Sequence, residues 1–167
     1  HENGASKNVV FIYHDITART LAEEDLYLTQ FCVDHAGVGI FRIEEPDARI
    51  VSVNEQACKN LGYTQKELCS MTVLDIDPNF NLQSWREHRK KIRDLSSGTI
   101  ETLHRRKDGS IFPVEVTITY FKYLDKEMSF SFAQDITERK KAEVSLKENE
   151  EKYRSLVDNL GIAITLI

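Results

Sequence analysis

His88 stands on an apolar stripe in which Trp85, His88, Ile92 and Leu95 follow one another at steps of three, four and three residues. A neutral imidazole facing an apolar pocket can ligate iron. A histidine on such a stripe also serves as an ordinary core side chain, and that is the expectation here. Asp75 and Asp77 flank Ile76 just before Pro78. Paired carboxylates can do acid–base or metal chemistry. No histidine or further acid clusters beside them, so a turn before the proline is expected instead. The basic run Arg86, Arg89, Lys90, Lys91 and Arg93 reads as the solvated side of the helix that carries His88. His14-Asp15 has the residue types of a phospho-accepting pair, but it sits at a strand end rather than on a long helix. The sequence has no Gly-rich phosphate loop, no GxSxG and no HExxH. No catalytic residue, no metal site and no enzymatic activity are therefore expected of this chain.

Bulk properties narrow the classes further. A formal net charge of −5 argues against a general nucleic-acid or acidic-membrane binder, which needs a basic footprint. No apolar run approaches the ~18–20 residues of a membrane span, and no signal peptide is visible. Cys32, Cys58 and Cys69 are odd in number and lack CxxC spacing, which fits small buried hydrophobes in a reducing compartment. A cytoplasmic location is the expectation.

The groups above must be held by a repeated framework. His14-Asp15-Ile16-Thr17 returns as Gln134-Asp135-Ile136-Thr137, 120 residues later. That period is too long for a solenoid unit of ~20–50 residues and matches a small domain. The chain therefore reads as a stretch of a tandem array. Residues 1–17 would end one module, 18–35 form a linker helix, 36–137 a whole module, 138–158 a second linker helix, and 159–167 the start of a third module.

Within the whole module, residues 38–43 and 49–53 read as a β-hairpin around Glu45-Pro46-Asp47-Ala48. Asn54 can cap a short helix with Ala57, Cys58 and Leu61 inward, closed by Gly62. Thr64 and Glu67 have capping-box spacing. The His88 helix is expected over about residues 82–97, ended by Gly98. Beyond it the period changes to two. A strand over residues 99–106 turns at Lys107-Asp108-Gly109 into one in which Phe112, Val114, Val116, Ile118 and Tyr120 alternate. A last strand alternates Met128, Phe130 and Phe132. The order predicts an α+β domain, one antiparallel sheet with helices on one face and a phenylalanine-rich core.

These residues resemble a PAS domain. Ile50-Val51-Ser52-Val53-Asn54, Ala57, Leu61-Gly62-Tyr63 and Glu67-Leu68 are similar to its first half. Arg105 to Val116, with Asp135-Ile136-Thr137-Glu138-Arg139-Lys140, is similar to its C-terminal PAC motif. The likeness covers about residues 36–140, and Tyr153 to Asp158 resembles the entry to another such domain. It implies a five-stranded antiparallel sheet and a sensory or dimerising role in a bacterial signalling protein.

Several site assignments follow from that resemblance. The signalling hinge is Asp135, Ile136 and Thr137, with its earlier copy at Asp15 and Thr17. Asp135 with Glu138 also has capping-box spacing. The ligand pocket is expected at Phe41, Val53, Asn54, Leu61, Trp85, His88, Ile92, Val116, Phe130 and Phe132. Haem-binding relatives take an iron ligand from the helix of His88, and light-sensing ones carry an Asn-Cys-Arg-Phe-Leu-type motif before it. Here that region reads Met71 to Pro78 without cysteine. Neither haem nor flavin is expected, and the cofactor is unknown. After the hinge, Ala142, Leu146, Asn149, Tyr153, Leu156 and Leu160 form a heptad seam. With Leu21, Leu28 and Phe31 they are expected to build a homodimer interface.

The expected function is therefore a sensory module in a two-component histidine kinase. It would bind a small ligand or partner and signal through the hinge and linker helix to adjacent modules and an output domain in the same chain. A ligand-free spacer, a haem sensor and a module of a diguanylate cyclase are the alternatives.

Overall fold

The computed structural model describes residues 17–164, and side chains of residues 20–158. Asp15 and the strand expected over residues 9–14 lie outside the described residues. The chain divides into two units, residues 1–32 and 33–167. The described part of the first is most of helix α1 (Thr17–Asp34), on which Leu21, Leu26, Tyr27 and Leu28 are exposed.

The second unit opens with β1 (Gly39–Glu44) and β2 (Arg49–Val53). Four helices follow: α2 (Glu55–Leu61), α3 (Gln65–Leu68), α4 (Val73–Ile76) and α5 (Leu82–Leu95). Then come β3 (Ser97–Arg105), β4 (Ile111–Tyr123), β5 (Lys126–Asp135) and α6 (Thr137–Ile164). The five strands form one sheet in the order β2-β1-β5-β4-β3, antiparallel at every pairing. The α+β architecture read from the sequence is present, and it puts the last strand, β5, at the sheet centre.

The helices start where their caps dictate. Asn54 Oδ1 accepts from Ala57 N, and Gly62, at φ +76°, closes α2 in the left-handed conformation that glycine takes without penalty. Thr64 and Glu67 form the expected capping box on α3. Where only a turn is expected, Asp75 starts α4 by accepting from the Thr72 N–H and hydroxyl, both at 2.8 Å. Asn81 caps α5 with Ser84 in return. Helix α5 does not run to Gly98. Ser96 ends it in the left-handed conformation at φ +64°, and Leu95 is left exposed rather than on the buried stripe. Gly98 is already in β3, and a Cβ there would come within 2.6 Å of Ile92 Cδ1, so its role is close packing under α5.

Inward residues of the sheet, among them Phe41, Ile43, Phe112, Val114, Val116 and Ile118, meet Ala57, Leu61, Leu68, Ile76, Trp85 and Ile92 of the helices in one core. The expected register of β5 is off by one residue. Ser129, Ser131 and Ala133 face inward, whereas Phe130 and Phe132 stand half-exposed on the other face. There Phe130 stacks on Phe121 with centroids 5.2 Å apart. One step along a strand turns every side chain over, and small side chains suit the central strand because they leave room beneath the helices. The core is therefore mostly aliphatic rather than phenylalanine-rich. Helix α6 continues past Asp158 to Ile164, where a new module had been expected to begin.

Candidate functional site: an internal cavity and its exit hinge

A cavity with about 30 Å³ of free space lies between the sheet and α4–α5. Its apolar wall includes Phe41, Ile76, Phe80, Trp85, Val116 and Ile118. Its polar lining is Asp77, His88, Thr102, His104 and Ser131. Ser131 and Ala133 border this space because β5 turns its small residues inward; the two phenylalanines, so turned, would fill it.

Two of these polar residues are held firmly. Asp77, which terminates α4, is buried and accepts hydrogen bonds from Thr102 Oγ1 at 2.9 Å and Asn79 N at 2.9 Å. Burial nevertheless raises its pKa above the ordinary carboxylate value. His104 projects from β3 between Phe41 and Phe112, both edge-on at centroid distances of 6.1 and 6.0 Å. Burial pushes its pKa down to about 4, so the ring is neutral at pH 7. His88 is lowered too, by burial first and by Lys91 second. It packs against Phe80 at 5.2 Å and Trp85 at 6.2 Å.

Of the residues expected in the pocket, Phe41, Trp85, His88 and Val116 line it. Ile92 borders a smaller pocket next to it, across Trp85, His88 and Ile118. Val53 and Leu61 are buried in the core away from the cavity. Asn54 is a structural clamp. It takes Ile40 N and Ala57 N on Oδ1 and donates Nδ2 to the carbonyls of Val33 and Val38. Phe130 and Phe132 point away, for the register reason above. Asp77 and His104 were missed. The signal for His104 was its alternation with Thr102 on the inward side of β3, a pattern that marks the face but not the chemistry. Nor is Arg89 on the wet side of α5. It pairs with Glu127 of β5 and lies 3.3 Å from Glu45.

The exit hinge is tied at three points. Asp135 Oδ1 accepts from Thr137 N at 2.9 Å and Thr137 Oγ1 at 2.5 Å, which joins the last strand to the first turn of α6. Asp135 does not form a capping box with Glu138: α6 begins at Thr137, which puts Asp135 one residue before the cap position, and Glu138 pairs with Lys141. Asp135 Oδ2 accepts from Arg106 at 3.2 Å. Burial pushes the Asp135 pKa up, but the bonds from Thr137 and Arg106 outweigh it and hold the carboxyl below its ordinary value. Arg106 also donates to the Asn60 carbonyl at the end of α2 and lies 3.6 Å over the Phe112 ring. Ile136 is buried, and its N–H donates to the Pro113 carbonyl at 3.1 Å. One turn on, Arg139 and Lys140 of α6 pair with Glu101 and Glu115 on the outer side of β3 and β4. Thr17 begins the described part of α1.

Comparison with known proteins agrees with this architecture. Residues 37–138 match the family model described as a PAS domain. A relative called methyl sulfide methyltransferase-associated sensor, from Methanosarcina acetivorans, is 36% identical over 116 residues, 69% of this chain but 12% of that protein. The PAS domain of an HTR-like protein from Haloarcula marismortui superposes with a TM-score of 0.66 at 22% identity, over 71% of this chain and 98% of the other. A PAS domain from a two-component sensor histidine kinase gives 0.60 at 26%, over 68% and 98%. On the family match over residues 37–138 and the sheet order, the chain belongs to the PAS domain family.

Proposed function

We propose that this PAS domain is a sensory module that reads the occupancy of the cavity under α5 and passes it to α6 through Asp135. The observation that carries the reading is the double attachment of Asp135. One carboxylate oxygen holds the start of α6, and the other holds Arg106, which is itself anchored to the end of α2. Arg105, next to Arg106, donates to the Asp75 carbonyl of α4, so a ligand that moves α4 over the cavity would move the same strand end and with it the root of α6. Such a relay requires that the ligand bind two arrangements with different affinity. The parent protein is read as a sensor histidine kinase; the relative called a sensor and the solved histidine-kinase domain support that class. The domain's own part is regulatory.

The relay is tested with Asp135→Ala. Loss of a helix-start contact typically costs ~0.5–2 kcal/mol, which a domain of total stability about 5–15 kcal/mol survives. In hydrogen exchange, amides from Glu138 to about Leu146 should lose protection while Phe112–Tyr120 keep theirs. Unchanged protection in α6 would sink the hinge.

A further inference from the structure

Beside the main cavity lies a smaller pocket with about 10 Å³ of free space, bordered by α5, β4, β5 and the turn after β1. Around it are five buried polar atoms that lack a hydrogen-bond partner: Glu45 Oε2, Trp85 Nε1, His88 Nε2, Arg89 Nε and Ser129 Oγ. Trp85 and Ser129 are 5% and 2% exposed, and the Glu45 side chain 4%. Arg89 Nε is 3.3 Å from Glu45 Oε2 without the alignment of a hydrogen bond. Burial raises the Glu45 pKa, opposed first by the charge of Arg89 and then by the nearby Trp85 and Ser129 donors. A buried polar group without a partner forfeits its hydration with nothing in return, and native interiors rarely leave several together. The cluster therefore calls for an occupant.

Its chemistry specifies that occupant. Glu45 and Glu127 are matched by Arg89 and Arg93, so an ionic head would arrive as an uncompensated buried charge. The cluster offers one strong acceptor, Glu45 Oε2, and donors from Trp85, Arg89 and Ser129, so the head must both donate and accept. A free volume of ~10–15 Å³ holds one water-sized group, so the small pocket takes one polar atom and the adjoining cavity about two or three apolar ones. Trp85, His88 and Ile118 form the wall between them. His88 Nε2 has no hydrogen-bond partner, so no bond from this atom holds the ring against turning.

We propose that the small pocket is the polar compartment of the sensor cavity, and that it takes the hydroxyl or similar neutral head of a molecule of about four non-hydrogen atoms whose apolar end fills the main cavity. This rests on the sensory reading above for its purpose, but not for its test.

Trp85 is the only tryptophan of the chain, so its indole N–H gives a single unambiguous NMR signal. The 167-residue chain is titrated with 1-propanol, 1-chloropropane and sodium propionate. The expected result is a saturable shift of the indole signal with 1-propanol, at least several-fold weaker binding of 1-chloropropane, and none of propionate. Trp85→Phe should weaken 1-propanol binding several-fold, followed at the Ser131 amide, and leave 1-chloropropane unchanged. No indole shift with 1-propanol overturns the proposal, because water alone then fills the pocket. Equal binding of 1-chloropropane, or preference for propionate, overturns the neutral polar head. If 1-propanol binds as described while α6 protection stays unaltered, the pocket stands and the relay fails. If it does not bind while Asp135→Ala loosens α6, the relay stands and the pocket fails.

Discussion

His104 is the residue whose chemistry most depends on the fold. Its folded pKa of about 4 lies below the ordinary 6.5 because burial disfavours the charged ring. The unfolded chain therefore binds more protons between these values, and stability rises with pH across that window. The stabilisation is present above about pH 6.5 and is lost as pH falls towards 4, by about 3 kcal/mol at 1.36 kcal/mol per unit. His88 acts in the same direction, while Asp77, raised by burial, opposes it at lower pH. Urea midpoints measured from pH 7.5 to 5 should fall in the natural chain and fall distinctly less in His104→Leu. Parallel curves would mean that the ring is charged or exposed in solution. His104 was not legible as a site residue because strand alternation reports which way a side chain faces, not whether a cavity waits there. Asp77 was hidden by a sound local argument, a turn before proline, that gives no view of Thr102, 25 residues away. Phe130 and Phe132 misled for the opposite reason. They are the most apolar residues of β5, yet the cavity requires Ser131 and Ala133 on the inner side. Phe132→Thr should accordingly change stability by under about 1 kcal/mol, whereas Val116→Ala on the inner side should cost about 2 kcal/mol or more. Equal costs in chemical denaturation would contradict the observed register.

Elements were more legible than contacts. Asn54, Thr64 and Gly62 announced α2 and α3 because capping is local chemistry, resolved within three or four residues. The end of α5 was misplaced because Gly98 is a packing glycine and Ser96 supplies the left-handed turn, a conformation serine rarely takes. The β3–β4 hairpin carries the least visible device. Its Arg106 reaches α2 and the hinge at once, while the Lys107 N–H donates to the Leu61 carbonyl at 2.9 Å and Lys107 Nζ to Glu67 at 2.7 Å. That lysine, with the amide and hydroxyl of Thr64, holds the Glu67 carboxyl down at about 2. Arg106→Lys tests this junction, since lysine keeps the charge but cannot serve two acceptors with a planar fork. Exchange should quicken at the start of α6 and the C-terminal turn of α2 together, with the strand β4 unaffected. Acceleration at only one end would show that Arg106 supports each separately and couples nothing.

At the scale of the whole molecule the unresolved demand is α6. Its first turn is pinned to the sheet by Arg139 and Lys140, but from Lys141 to Asp158 every side chain is exposed. A helix of this kind, about 27 Å long over that span, draws little stability from propensity alone and needs an apolar face covered. Leu146, Tyr153 and Leu156 offer such a face at heptad spacing, each more than half exposed. Pairing of this seam with the same seam of a second copy would satisfy it, with Asn149 setting register at some cost in stability. The helices would then lie side by side, and a small rotation at Asp135 would become a change in how two chains pack. Sedimentation equilibrium of the natural chain should show dimers, and Leu146→Asp with Leu156→Asp should shift them to monomers while the near-UV signal of Trp85 stays native. A natural chain that stays monomeric at every concentration reached would leave the seam to some other partner. The geometry by which α6 carries a signal would then need a different second surface.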